Sequence, residues 1–256
     1  MLARLEGRVG YVDQVNALSR TLGCVMAGML VAACSAGSPA AESNAEDPVD
    51  DLVFEFTRIA PHGFIDQALE INNLGGGALA PTVRIKALGA DGKVLDDVDV
   101  STAYGSDGGL VVVPPFGSAL DFLQFEPRER IGEVADVAVS VVNVRELPDV
   151  GLGELRELPE VQPIAQNGAE VDKFGAFAFV DVQNPNPNPV TVRVVFLIYG
   201  DTAPGEPQQA ELVLPVTGPT EIQANSSDRK PVLPEFAERS IDPDAAVSLK
   251  AYLSVP

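Results

Sequence analysis

The chain has no tryptophan, a single histidine and only two cysteines among its 256 residues. A zinc site with several His or Cys ligands is therefore excluded. A Ser-His-Asp triad would have to use His62, and no Gly-x-Ser-x-Gly sequence accompanies it. Ser227 and Lys230 fit the spacing Ser-x-x-Lys, but they fall in a predicted turn of a small β-domain, without partner motifs. We therefore predict no enzyme activity and assign no catalytic residue, metal ligand or cofactor.

Basic residues are also scarce, because 17 Lys and Arg face 37 Asp and Glu and give a net charge of −20. This charge excludes nucleic acid, which needs a basic face, and electrostatic docking on anionic lipid. Clustered carboxylates could supply oxygen ligands to Ca²⁺. Their spacing matches no known calcium loop, so solubility explains them best and no metal site is predicted. The carboxylates considered are Asp96, Asp97, Asp99, Asp242 and Asp244.

The most apolar run, in RTLGCVMAGMLVAAC (residues 20–34), is too short for a comfortable transmembrane helix. One Arg followed by a short apolar run and small residues is typical of a secretory signal. The end of this run, Val31 to Cys34, resembles the lipobox of bacterial lipoproteins. The resemblance implies cleavage after Ala33 and attachment of lipid, including palmitate, to the Cys34 sulfur. Cys24 lies inside the apolar run and would be removed, which leaves no disulfide.

The resemblance to lipoproteins also implies a location, namely lipid-anchored and extracytoplasmic in a bacterial cell envelope. The outer membrane and the cell surface both remain open, as does the leaflet. Residues 1–33 are the predicted signal peptide, and 1–14 read as an overlong gene start, with Val15 or Leu18 as alternative initiators. Residues 34–51 are small, polar and acidic, and we expect a flexible tether of about 20–25 Å.

The remaining chain is rich in short β-type runs separated by Gly, Pro, Asn and Asp, and it repeats itself. A mean hydropathy of +0.13 is sufficient for buried cores. The fold class predicted is all-β, as two tandem immunoglobulin- or fibronectin-III-like β-sandwich domains, 52–147 and 160–256, joined by a linker, 148–159. The segments that align are 68–88 with 179–197, 110–123 with 220–233, and 135–144 with 244–255.

Within the strands, the alternation of TVRIKAL predicts that Val83, Ile85 and Ala87 face one way and Arg84 and Lys86 the other. The run TVRVVFLIY (191–199) is nearly all apolar, which indicates a strand that is covered on both faces or packs on the other domain. Asp91 and Gly92 predict the turn of a hairpin over 89–100.

Three Asn-Pro steps separate two of these strands, where the first half has Leu74 to Pro81 instead. Proline cannot donate to a sheet ladder, and asparagine tolerates turn conformations. The pattern therefore predicts a stiff crossover between two strands. A rigid exposed binding loop is the alternative. The residues of this candidate loop are Asn184, Pro185, Asn186, Pro187, Asn188 and Pro189.

VDVQNPNPNPVTVRVVFLIYG (180–200) resembles the type 2 domain of late embryogenesis abundant proteins. The residues Phe196, Tyr199 and Asp201 are similar to the bacterial FxLYD domain, as are VRIKALGADGKVL (83–95) and the Pro114–Gly117 stretch of the first half. Both resemblances imply small immunoglobulin- or fibronectin-like sandwiches on envelope proteins and no catalytic site.

Two functions are consistent with these features. The first is a non-catalytic binding, adaptor or structural module, held to the membrane by its lipid, with an envelope protein or polysaccharide as partner. The second, which the late embryogenesis resemblance implies, is protection of the envelope against desiccation stress. Strongly patterned strands favour the first, because protection by solvation does not require a packed core.

Overall fold

Antiparallel β-strands form nearly all the regular structure of this chain. The computed structural model describes residues 48–60, 65–148, 152, 155, 157–172, 176–200, 207–237 and 245–256. The predicted signal peptide, Ala33, Cys34, most of the tether, His62, Asp242 and Asp244 lie outside these ranges. In the described ranges the all-β prediction is confirmed, since helix is limited to short turns. No helix within them is long and apolar enough to cross a membrane.

The N-terminal half (48–148) contains one sheet of four strands and one of two. The first has the order β1-β2-β5-β4 and the second pairs β3 with β6. Apolar residues from both sheets meet in one core that includes Leu69, Val83, Leu123 and Phe125. The strands are β1 (Leu52–Thr57), β2 (Ala68–Asn73), β3 (Ala78–Leu88), β4 (Asp99–Thr102), β5 (Ser118–Glu126) and β6 (Asp136–Leu147), with 3-10 turns at Ser106–Gly108 and Arg128–Glu133.

The C-terminal half (157–256) repeats part of this pairing scheme. The order β7-β8-β12 corresponds to β1-β2-β5, and β9 pairs with β13 as β3 does with β6; β9 also pairs with β10 and β11. The division into two immunoglobulin-like domains stays a prediction. The elements are β7 (Glu160–Ile164), β8 (Phe179–Asn184), β9 (Val190–Tyr199), β10 (Ala210–Pro215), β11 (Thr220–Ile222), β12 (Ser226–Pro231), α1 (Pro234–Ala237) and β13 (Ala246–Leu253).

The predicted orientations of β3 and β9 are confirmed. In β3, Val83, Ile85 and Ala87 are buried while Arg84 and Lys86 are exposed. In β9, Val194 and Phe196 pack in the C-terminal core, whereas Val195 and Leu197 belong to a second cluster on the opposite face. An apolar run without alternation therefore does mark a strand with two covered faces.

The predicted hairpin over 89–100 forms its turn and one antiparallel bridge beside it, between Leu88 and Val94, but the rest of the returning segment does not pair with β3. Gly92 has φ +74°, and the Gly89 N–H donates to the Lys93 carbonyl at 2.9 Å. The chain then turns away from β3, and Val98 is buried in the core between the two sheets. The following strand, β4, pairs with β5 in the other sheet. Asp91 and Gly92 predicted that the chain reverses direction, but they did not predict which strand the following segment pairs with.

The end of the predicted tether belongs to the folded part. The Asp51 carbonyl accepts the Leu74 N–H at 2.8 Å, and the Leu52 N–H donates to Val49 at 3.2 Å. These bonds hold residues 49–51 against the end of β2. The N-terminal segment therefore joins the fold directly beside the loop that follows β2.

A hydrophobic cluster joins the two halves. Tyr104 of the N-terminal half stacks on Tyr252 of the C-terminal half, with ring centroids 4.4 Å apart and planes 3° from parallel. Val111 and Phe122 pack in the same cluster with Val195 and Leu197. Backbone pairing continues the contact, since the Val112 N–H donates to Leu253 at 3.1 Å and the Val255 N–H to Leu110 at 3.0 Å. The halves are thus connected through packing as well as through the chain.

Gln209 also connects the two halves, because its side chain bonds to the backbone of Phe125 as a neighbouring strand would. Its Oε1 accepts the Phe125 N–H at 2.9 Å and its Nε2 donates to the Phe125 carbonyl at 3.0 Å. The side chain is 6% exposed. Gln124 makes a second connection between the halves, since its Nε2 donates to the Ala210 carbonyl at 2.7 Å.

Replacing Gln209 by alanine is expected to lower the free energy of unfolding by about 2–3 kcal/mol, because two buried backbone groups of Phe125 lose their partners. Urea unfolding followed by tyrosine fluorescence measures this, since Tyr104, Tyr199 and Tyr252 all lie at the shared cluster. Gln223→Ala, at an exposed position, is the matched control. A Gln209→Ala variant as stable as this control would contradict the assignment.

Candidate functional site

The Asn-Pro segment connects β8 to β9, which belong to different sheets, so the predicted crossover is confirmed. At its start, Asn184 is fully buried and its Nδ2 donates to three backbone carbonyls. The acceptors are Asn188 at 2.9 Å, Ile222 at 3.2 Å and Gln223 at 3.1 Å. Its Oδ1 accepts the Asn186 N–H at 3.0 Å. One side chain therefore closes the loop on itself and ties it to the end of β11.

Asn186, the second asparagine of the segment, binds the predicted interdomain linker. It is 1% exposed, its Nδ2 donates to the Glu157 carbonyl at 2.8 Å, and its Oδ1 accepts the Glu157 N–H at 3.2 Å. Pro185, Pro187 and Asn188 are half-buried, and Pro189 is exposed. The binding-loop alternative stays a prediction, but Asn184 and Asn186 are engaged in the fold and not available to a ligand.

Asn73 makes the same arrangement in the N-terminal half. It is 2% exposed, and its Nδ2 donates to the carbonyls of Gly77 at 2.7 Å and Pro114 at 3.1 Å. Its Oδ1 accepts the Gly75 N–H at 2.9 Å. Each asparagine thus bonds the residues two and four positions ahead and the carbonyls of a second segment. The two asparagines therefore make matching bonds in the two halves.

The shared bonds also correct the sequence alignment of the halves. Asn73 and Asn184 correspond, and Leu79 pairs with Val113 as Val190 pairs with Ile222. Pro81 therefore lies inside β3, whereas Pro189 precedes β9. An alignment of 68–88 with 179–197 that matches the two prolines displaces them by three residues, and one that matches the Thr-Val-Arg triplets displaces the strands by two. The fold tolerates Pro81 because its nitrogen faces the side of β3 away from β6, where no ladder bond is required.

The two halves differ in the loop that follows the segment whose carbonyls accept the asparagine Nδ2. The Phe116 N–H donates to Gly75 at 3.0 Å, just as the Asn225 N–H donates to Asn186 at 2.9 Å. Both residues have positive φ, 50° and 48° respectively. Asparagine adopts this conformation readily, whereas for a bulky residue it is an outlier. Phe116 is also 78% exposed.

Asp121 is a fully buried carboxylate that holds the 3-10 turn at Ser106–Gly108 against β5. It accepts the backbone N–H groups of Tyr104 at 2.7 Å, Ser106 at 2.9 Å and Phe122 at 2.8 Å. Burial raises its pKa to about 6, although these three donors favour the ionised form. Because Tyr104 stacks on Tyr252, this carboxylate also sets the position of the contact between the halves.

The other polar residues considered from the sequence form no site, because they are paired on the surface or lie apart from one another. Asp97 is paired with Arg130, and the described residues contain no group of three or more His, Cys, Asp or Glu side chains placed to hold a metal ion. Ser227 lies in β12 and not in a turn as predicted. A strand places side chains three residues apart on opposite faces, so Ser227 and Lys230 are not brought together.

Arg229, which lies between Ser227 and Lys230 in β12, forms two hydrogen bonds with Asp181 at 2.7 and 2.8 Å. These bonds lower the pKa of Asp181. This ion pair joins β12 to β8 across the strand pair. It is a cross-strand contact on a half-exposed sheet face, and its basic member is already neutralised.

The Asn-Pro pattern predicted Asn184 as part of a loop between strands, whereas no prediction singled out Asp121 or the conformation of Phe116. Phe116 was noted only within its Pro-Pro-Phe-Gly sequence, and its backbone conformation has no sequence signal beyond the glycine that follows. Asp121 was detectable as a lone carboxylate in the apolar run SALDFLQF (118–125). Comparison of the chain with protein families, curated proteins and solved structures gives no match.

Proposed function

We propose that this chain is a lipid-anchored, non-catalytic binding or structural module of a bacterial cell envelope. The observation that carries the proposal is the use of the buried polar side chains. Asn73, Asn184, Asp121 and Gln209 each bind backbone groups of neighbouring strands and loops. What the fold offers to a partner is its loop tips and sheet edges, which is how β-sandwich modules bind.

The finer architecture is two copies of one immunoglobulin-like sandwich. The repeated pairing of β1-β2-β5 and β7-β8-β12 supports a duplication, as do the matching asparagine bonds. The cluster around Tyr104 and Tyr252 unites the copies. A module of this kind presents its loops in a fixed relation, which favours a specific partner, either an envelope protein or a polysaccharide.

Lipidation rests on the sequence from Val31 to Cys34, followed by a short tether before the first strand at Leu52. The modification holds the module at the membrane, and the acidic surface keeps it in the aqueous phase. Packed cores favour this role over protection against desiccation by solvation, which requires none. A protective protein would change survival after drying without capturing a partner.

The anchor is tested by fractionating bacterial cells that express the wild-type chain or Cys34→Ala. We expect the wild type in the membrane fraction with a palmitate-labelled N-terminus, and Cys34→Ala without label and released from the membrane after signal cleavage. Cys24→Ala is the matched control and should behave as the wild type. An unlabelled wild-type chain, or a label that survives Cys34→Ala, would refute the anchor.

Partner binding is tested by crosslinking on intact cells with the same variants, followed by mass spectrometry. One dominant crosslinked species in the wild type, lost in Cys34→Ala, is expected of a tethered adaptor. An anchored chain without any captured species would place the protective role first.

A further inference from the structure

Phe116 departs from two preferences at once. Its backbone has φ 50°, which costs a bulky residue about 1–3 kcal/mol, and its ring is 78% exposed to water. The fold does not demand phenylalanine there, because Asn225 makes the same backbone bond at the corresponding place with φ 48°. An aromatic ring kept in water by a strained backbone points to a contact outside the folded chain.

Leu74 extends the apolar surface. It follows β2 and is 60% exposed. The Phe116 ring lies over the neighbouring loop, 3.5 Å from where a Cβ on Gly76 would stand. We name the exposed side chains of Leu74 and Phe116 the apolar tip. In the C-terminal half, Pro185 and Asn225 occupy the corresponding positions, so this tip is a property of one half only.

The place of the apolar tip indicates what it contacts. The Leu74 N–H donates to the Asp51 carbonyl at 2.8 Å, so the N-terminal segment joins the fold next to the tip. Cys34 precedes Asp51 by a short polar stretch. Even fully extended, a stretch of that length spans at most about 60 Å, so a lipid on Cys34 would stay within that distance of the tip. Such tethering raises the local concentration of the tip at the bilayer to the millimolar range.

We propose that the apolar tip inserts into the membrane surface on which Cys34 is anchored; this inference rests on the lipidation proposed above. The surface is a zwitterionic or neutral one, because Asp51 lies beside the tip and the chain carries a net charge of −20. Burying one phenylalanine contributes about 1.5–3 kcal/mol, enough to orient a tethered domain though not to hold a free one. Insertion fixes which loops and edges of the module point away from the membrane.

The absence of tryptophan makes the test direct, since Phe116→Trp introduces the only indole of the chain. The lipidated full-length product is reconstituted in phosphatidylcholine vesicles with and without brominated acyl chains. We expect the Phe116→Trp emission to shift to shorter wavelength and to be quenched by bromine. Asn225→Trp, with the same backbone geometry in the other half, is the matched control and should keep the emission of an exposed indole.

Two results would overturn the proposal. An unquenched, long-wavelength emission from Phe116→Trp in vesicles means that the tip stays in water. A short-wavelength emission without bromine quenching means that protein, not lipid, covers the tip. Phe116→Asn checks the fold and should be at least as stable as the wild type, because asparagine suits φ 50°. The palmitate label on Cys34 is read separately, so an anchored chain with an unquenched indole refutes the tip alone, and an unlabelled chain refutes the anchor.

Discussion

Replacing Asn184 by alanine is expected to lower the free energy of unfolding by about 3–5 kcal/mol, which is a large part of the stability of an ordinary domain. The substitution removes the hydrogen bonds that Asn184 makes to the carbonyls of Asn188, Ile222 and Gln223 and to the N–H of Asn186. Most of the cost comes from these lost bonds in a buried place, since the side chain removed is small. Urea unfolding at constant pH measures the change.

Two variants sharpen this test. Gln183→Ala, at the exposed neighbouring position on β8, should change stability by less than about 0.5 kcal/mol. Asn73→Ala removes the corresponding bonds in the N-terminal half and should cost as much as Asn184→Ala. A loss of less than about 1 kcal/mol in Asn184→Ala would show that water replaces the amide, and the asparagine would then not be the closure of the loop.

Asp121 is expected to make the protein more stable in mild acid than at neutral pH. Its pKa is about 6 in the folded chain against an ordinary value of 3.8. The folded chain therefore holds this proton more tightly than the unfolded chain. The stability that results is fully present below about pH 4 and is lost as the pH rises through 6, by about 3 kcal/mol in total.

The measurement compares unfolding of the wild type and Asp121→Asn between pH 4 and pH 7.5. The difference in free energy between the two should fall across this range, because the asparagine does not titrate. At low pH the variant should be the less stable by about 1–3 kcal/mol, since its Nδ2 faces the Ser106 N–H as a second donor. Asp107→Asn, an exposed carboxylate on the same loop, is the control and should parallel the wild type. Parallel curves for Asp121→Asn would show that burial does not control this carboxylate.

Local patterns predicted what is local in this fold. The alternation of Val83, Ile85 and Ala87 gave the buried face of β3, and the unbroken apolar run of β9 gave its two covered faces. The Asn-Pro steps gave a connection between strands. Each of these depends on neighbours within a few residues, so the sequence around them carries the whole signal.

What required the structure is non-local. The stack of Tyr104 on Tyr252 and the bonds of Gln209 to Phe125 join residues that are far apart in the chain, and no period in either segment points to the other. The same reason explains why β4 could not be assigned to its sheet, since Asp91 and Gly92 specify a reversal but not a partner. The alignment of the halves slipped because prolines were matched by type, whereas Pro81 and Pro189 occupy different positions relative to the strands.

The candidate site divides along the same line. Asn184 was identified from sequence, but its inward role became visible only with the carbonyls of β11 in place. The sequence did not predict the positive φ of Phe116, because a Pro-Pro-Phe-Gly sequence is compatible with several turn conformations. The internal repeat compensates in part, because Asn225 shows what the same backbone position accepts when no outside contact is required.

The pairing of Leu110–Val112 with residues 253–255 sets an order of events during synthesis. These residues emerge from the ribosome long before Leu253 and Val255, to which they are hydrogen-bonded. Until then, Val113 can pair with Leu79, but Leu110 to Val112 are an unpaired, β-prone edge, the kind of segment that draws nascent chains together. Pro114 and Pro115 follow at once, and proline limits how far such a segment can zip with a neighbour. The N-terminal half is thus the first to be made and among the last to be completed.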